Sequence, residues 1–166
     1  MLGTLTRAQI EKVLHAGTIG RLGVTADGRT YVVPITYVYD GTSIYGHTTV
    51  GEKVRMMRKT PNVCFEVEDI KDMANWRTVI TWGRYEELTG DVATAAAKLI
   101  AARLGPLTAS ATSGPAGPSA RAAKAHVSYR IRLNERTGRY ERQTAKRLTI
   151  VGAARAITRR RPRSSA

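Results

Sequence analysis

The sequence predicts a small antiparallel β barrel, closed or split, carrying a few short helices. Two turn signals, Asp27-Gly28 and Asp40-Gly41, flank the β-branched and aromatic run "TYVVPITYVY", a strong hairpin pattern. About six apolar runs read as strands against three helical stretches, joined mostly by short turns. That order does not fit the regular alternation of a doubly wound parallel sheet. At 166 residues and 42% hydrophobic content, the chain is long enough for one domain with a real core.

The elements follow in order. "TRAQIEKVLHAG" opens with Thr6 and has Gln9 three residues on, a capping-box pattern. Ile10, Val13 and Leu14 share one helical face, and Gly17 is a stop. "TIGRLGVT" is a strand, then the turn, then the middle strand, in which both alternating faces are fairly apolar. A strand of that kind is expected to be covered on both sides. Pro34 within it cannot donate to a ladder, so it marks an edge, a bulge or an opening. "TSIYGH" is a strand and "EKVRMMRKT" a short helix ended by Pro61. "NVCFEVE" is a strand, "DIKDMAN" a loop, and "WRTVITWGRYEEL" a long strand bent at Gly83. "DVATAAAKLIAARL" is an alanine-rich helix capped by Asp91, and residues 105–120 form a loop or lid. "HVSYRIRL" is the last strand.

Charge is uneven. Residues 1–120 hold 13 basic against 11 acidic side chains, and residues 121–166 hold 14 against 2. The net +14 is thus concentrated in the last quarter, which suggests a near-neutral body followed by a basic strand and tail, with one domain over 1–140 and a basic, partly disordered extension over 141–166. Clustered arginines can bind phosphate backbones. The basic tail, from Asn134 on, has no interleaved aromatics beyond Tyr140 and no recognised reader fold, so nucleic acid is not the expected partner. No apolar run reaches the roughly 18–20 residues of a membrane span, and Met1 to Ile10 lacks a signal-peptide layout. A cytoplasmic protein is the expectation. Cys64, the single cysteine, reads as a small buried hydrophobe.

The stretch "YGHTTVGEK" is a strand-to-helix junction. Thr49 and Glu52 repeat the capping-box spacing, and a helix N-terminus suits phosphate. Thr48 and Thr49 offer hydroxyls, Gly51 permits close approach, and Lys53 and Arg55 supply cations. An ordinary capped helix with solvated basic residues fits the same spacing. His47 at the strand end is either a side chain in water or, if it lines a cavity, a hydrogen-bond donor or planar partner. His15 and His126 lie on other elements, so no metal site is expected. No nucleophile elbow, Walker loop or Rossmann glycine pattern is present. Glu66 and Glu68 share a strand face that reads as wet.

The run from "GRLGVTADGRTYVVPITYVYDGTSIYGHTTVGEK" to "KTPNVCFEVE", followed by "NWRTVITWGRYEEL", resembles the pyridoxamine 5′-phosphate oxidase-like FMN-binding split barrels, over residues 4 to 140. It looks closest to the branch with nitroimidazole-resistance reductases. The resemblance implies a mainly β, six-stranded antiparallel split β-barrel with short helices. It also implies a homodimer and one FMN in each of two interfacial clefts. On that basis Pro34, Ile35 and Thr36 face the flavin ring, and His47 and Thr48 lie beside it. Thr49, Gly51 and Lys53 hold the phosphate. Trp76, Arg77 and Thr78 contribute further cofactor contacts. Glu52 stands where family oxidases of vitamin B6 usually carry a basic residue, and "RRRPRSSA" does not match their arginine-rich closing segment. Vitamin B6 oxidation is therefore not implied.

The activity implied is electron transfer from a reduced donor through FMN to a small acceptor, such as a nitroaromatic. The alternatives are a non-catalytic flavin-binding module, or the same barrel holding a deazaflavin or haem. No catalytic residue is assigned.

Overall fold

The computed structural model describes residues 1–108 and 125–143, so the greater part of the 105–120 run and the end of the basic extension lie outside the described residues. Its elements are β1 (Leu2–Thr4), α1 (Arg7–Ala16), β2 (Ile19–Ala26), β3 (Arg29–Thr36), β4 (Val38–Tyr39), β5 (Ser43–Thr49), α2 (Glu52–Lys59), β6 (Asn62–Asp72), β7 (Asn75–Leu88), α3 (Gly90–Thr108) and β8 (His126–Arg142). All pairings are antiparallel, in the order β3-β2-β6-β7-β8-β5-β4, with β1 added beside β8. The eight strands exceed the six expected because two short ones, β1 and β4, add to the set.

Local chemistry accounts for much of this. Asp27 (φ 52°) and Gly28 (φ 72°) both adopt positive φ between Ala26 and Arg29, the two-residue turn that an Asp-Gly pair favours. At the second turn the Asp40 carboxylate accepts from the amides of Thr42 (2.8 Å) and Ser43 (2.7 Å). Thr6 and Gln9 form the full capping box of α1, whose Ile10, Val13 and Leu14 are buried. The core gathers Leu22, Val24, Ile44, Val54, Met57, Phe65, Val67, Val79, Tyr129 and Ile131. These come from alternate positions of the strands and from one face of α2, and the buried face of α1 packs with them. Where β8 carries the extra residue Asn134, the β7/β8 register shifts beside Gly83. A Cβ at Gly83 would stand 2.6 Å from the Arg132 carbonyl oxygen, so the bend there requires glycine.

Several expectations need correcting. "TYVVPITYVY" is two strands, not one. The Tyr37 amide donates to the Thr18 carbonyl at 2.9 Å and its hydroxyl to the Leu14 carbonyl at 2.9 Å. These bonds anchor the chain to the end of α1 and break the strand. β3 is covered on one side only: Ile35 is buried, while Thr30, Val32, Pro34 and Thr36 are exposed. β3 ends the sheet, and among the described residues no layer packs on its outer face. Residues 69–72 are strand rather than loop, because β6 and β7 continue to pair up to a tight turn held by Asp72. Helix α3 begins at Gly90, so Asp91 stands in its first turn, and the helix runs on through 105–108. β8 continues well past "HVSYRIRL", carried by its pairing with β7. Cys64 is only partly buried, since its neighbours Val63 and Phe65 take the inward positions.

Candidate functional site

β4 and β5 pair at Val38↔Tyr45 and Tyr39↔Ile44. Extending that register through Tyr37 would set Thr36 against His47, Ile35 against Thr48 and Pro34 against Thr49. None of these pairs forms. β3 hydrogen-bonds only to β2, and β5 from Gly46 onward only to β8. Two strand edges therefore face a common seam. Pro34 contributes to the opening because it has no N–H to offer. Unpaired backbone edges in such a place can accept and donate hydrogen bonds to a planar polar ligand.

Past the end of β5 the chain turns through Gly51 into α2. The expected Thr49–Glu52 capping box is absent: the N-cap is Gly51, without a side-chain cap bond. Thr49 is still committed to the β5/β8 ladder opposite His126, so the helix starts beyond it. The first-turn amides consequently lack a capping side chain and are available to an anion. A Cβ placed on Gly51 meets nothing closer than 4.0 Å, so the approach is open. Glu52 turns to Arg55, with 2.6 Å between Oε2 and Nη2, and so engages the second candidate cation. Lys53 differs. It is half-buried, and no acceptor pairs with it among the described residues. Burial pushes its ammonium below the usual lysine range. An unpaired cation held partly out of water is a ready partner for a phosphate, and these residues fit a flavin with a terminal phosphate.

The structure thus brings Pro34, Ile35, Thr36, His47, Thr48, Thr49, Gly51 and Lys53 to one seam and its end. Ile35 itself points into the core, at 5% exposure, so only its backbone faces the seam. Trp76, Arg77 and Thr78 stand elsewhere in the same chain. Pro34 is level with Arg21, Glu66 and Ile80 across β2, β6 and β7. Trp76 therefore lies three strands and four residues away, on the order of 20 Å along the sheet. Its indole N–H donates to Glu141 at 3.2 Å, and Thr78 donates to Glu66 at 2.9 Å. Trp76 and Arg77 line a cavity of about 590 Å³ with Leu5, Tyr140 and Glu141. Arg21 pairs with both Glu66 and Glu68, so the two carboxylates share a face as expected, though a partly buried one.

One residue escaped sequence reasoning. His126, remote in sequence, lies beside His47 through the β5/β8 register. No local pattern signals it.

The eight-strand antiparallel sheet, split at one seam and plugged by α1, defines the chain as a split barrel. Comparison with known proteins agrees. The family model described as pyridoxamine 5′-phosphate oxidase matches residues 6–140, and the chain belongs to that family. A FAD-binding protein of Mesorhizobium loti superposes with a TM-score of 0.70 at 30% identity, covering 84% of this chain and 98% of that one. A 5-nitroimidazole antibiotic resistance protein of Bacteroides thetaiotaomicron shares the fold, with a TM-score of 0.62 at 18% identity over 84% of this chain and 89% of that one. An uncharacterized protein of Rhizobium meliloti (strain 1021) is 33% identical over 84 residues, which is 51% of this chain and 56% of that protein. The match spans little more than half the length of that curated relative. No helix among the described residues is long and apolar enough to cross a membrane.

Proposed function

We propose that the chain binds flavin mononucleotide in the seam and passes electrons from a reduced donor to a small acceptor, nitroaromatic or similar. The observation that carries the reading is Lys53, a half-buried cation without a partner among the described residues, at an uncapped helix start at the end of the open seam. In this reading Lys53, the first amides of α2 and the Thr49 hydroxyl hold the phosphate. The backbone of Pro34 to Thr36 and the His47–Thr48 edge take the ring. When bound, the flavin supplies the redox chemistry, and the protein binds, orients and shields it.

The functional unit in this reading is a homodimer. Trp76, Arg77 and Thr78 are too far from the seam of their own chain and would serve the flavin of a second copy. The bare outer face of β3 supports the same reading. Val32 is 61% exposed and Trp82 40%, and together with Gly23 and Cys64 they line an apolar groove of about 480 Å³. Apolar surface of that kind is commonly covered by a partner.

A second reading, FAD in the same seam, is favoured by the likeness to the M. loti FAD-binding protein. A single unpaired cation and one helix start suit one phosphate better than a dinucleotide. The absorption spectrum of freshly purified protein, with mass identification of the released cofactor, separates the two flavins from each other and from haem or deazaflavin. A colourless protein that ignores added flavin would refute both. Oxidation of NADH or NADPH with a nitroaromatic acceptor then distinguishes a reductase from a binding module.

A further inference from the structure

Both ring nitrogens of His47 are engaged within the protein. Nδ1 lies 3.1 Å from Ser128 Oγ, and Nε2 lies 3.2 Å from His126 Nδ1. The two imidazole planes are within 7° of each other, with centroids 5.1 Å apart. The ladder produces this arrangement. His47 is opposite Ser128 and Thr49 is opposite His126, so strand alternation puts His47, Ser128 and His126 on one face. His126 is the diagonal neighbour of His47, within reach of an aromatic side chain.

We propose that Ser128 and His126 are positioning residues that occupy the hydrogen-bonding edge of His47, so that its imidazole offers a ligand at the seam its ring face rather than a proton. The ligand half of this inference rests on the flavin reading; the side-chain half does not. A neutral imidazole has one donor and one acceptor nitrogen. If Nε2–H donates to His126, Nδ1 accepts from the Ser128 hydroxyl. If Nδ1–H donates to Ser128, Nε2 accepts from His126. Neither tautomer leaves a nitrogen for a third partner. What remains is a flat π face at the seam's edge, fixed in orientation through both nitrogens, the kind of surface on which heteroaromatic rings stack. The choice left open by the sequence, donor or planar partner, falls to the second.

The test has two arms. In flavin-free protein in alkaline buffer, where free imidazole is neutral, nitrogen-15 NMR is expected to show both ring nitrogens of His47 hydrogen-bonded within the protein. His126→Ala should release Nε2 to water and leave Nδ1 bonded, and His126→Gln, whose amide can donate or accept, should restore the Nε2 bond. A parent in which Nε2 has the signature of a water-exposed nitrogen, or no change at Nε2 in His126→Ala, overturns the positioning claim. In flavin titrations His47→Phe, which keeps a flat ring without nitrogens, is expected to hold flavin within about threefold of the parent. His47→Ala should weaken binding about tenfold. Equal losses in the two variants overturn the face-on role. A parent that binds no flavin at all defeats the proposed function instead, and the NMR arm still decides the positioning claim.

Discussion

The β7/β8 centre of the barrel and the β3/β5 seam are built from the same kind of strand, yet they end in opposite states. Along β7/β8 the ladder runs from Asn75↔Arg142 to Leu88↔Ser128, interrupted by one bulge. Two of its arginines share one carboxylate: Glu86 accepts from Arg130 at 2.7 Å and from Arg132 at 3.3 Å. At the seam the register that pairs β4 with β5 is abandoned one residue before β3, and Lys53 has no counter-ion among the described residues. Much of the basic excess of β8 is spent on carboxylates from earlier in the chain, whereas Lys53 is left for something outside it. On the proposed reading, stability and binding occupy separate parts of one small sheet, as expected where a rigid scaffold presents an incompletely satisfied site.

That contrast can be broken from either side. Phe65→Ala, in the closed part, removes a ring that is 1% exposed and should cost about 3–5 kcal/mol in denaturant unfolding. Loss of flavin should follow only from unfolding. Lys53→Ala should do the reverse. Flavin affinity falls about 10- to 100-fold, the size of a lost charge-assisted hydrogen bond, while the melting temperature stays near the parent's. The exposed Lys12→Ala is the control, and equal retention of flavin in the two variants would remove the phosphate assignment. Thr6→Ala, which deletes the capping box of α1, should cost about 1 kcal/mol of stability and leave flavin affinity unchanged.

The smallest effect concerns pH. The hydrogen bond from Arg130, then that from Arg132, holds the Glu86 carboxyl below its ordinary range. A depressed folded-state value means the stabilisation is present above the unfolded value and is lost as pH falls through the folded one. Glu86→Gln should therefore flatten acid unfolding below the ordinary glutamate range, by less than about 1 kcal/mol for a solvent-screened pair near the surface.

Local signals were legible in the chain and tertiary ones were not. Thr6 with Gln9 and Thr49 with Glu52 have the same spacing, yet only the first forms a capping box, because the second threonine belongs to a strand. Asp27-Gly28 specifies its turn through two positive φ values. The break at Tyr37 depends on hydrogen bonds to Thr18 and Leu14, and nothing in "TYVVPITYVY" announces it. The polar run at 69–72 reads as a loop but is held as strand by pairing with β7, including Arg77 beside Asp69. Of the site, Pro34 and the junction could be argued from residues alone, as a lost donor and a helix start. His126 could not, since its place beside His47 depends on a register that joins residues 79 apart.

The most direct test is a crystal structure of the flavin-loaded protein. The account predicts the phosphate within hydrogen-bond distance of Lys53 Nζ and the α2 amides, with the ring along Pro34 to Thr36. A flavin phosphate bound anywhere else, with Lys53 still facing solvent, would contradict it.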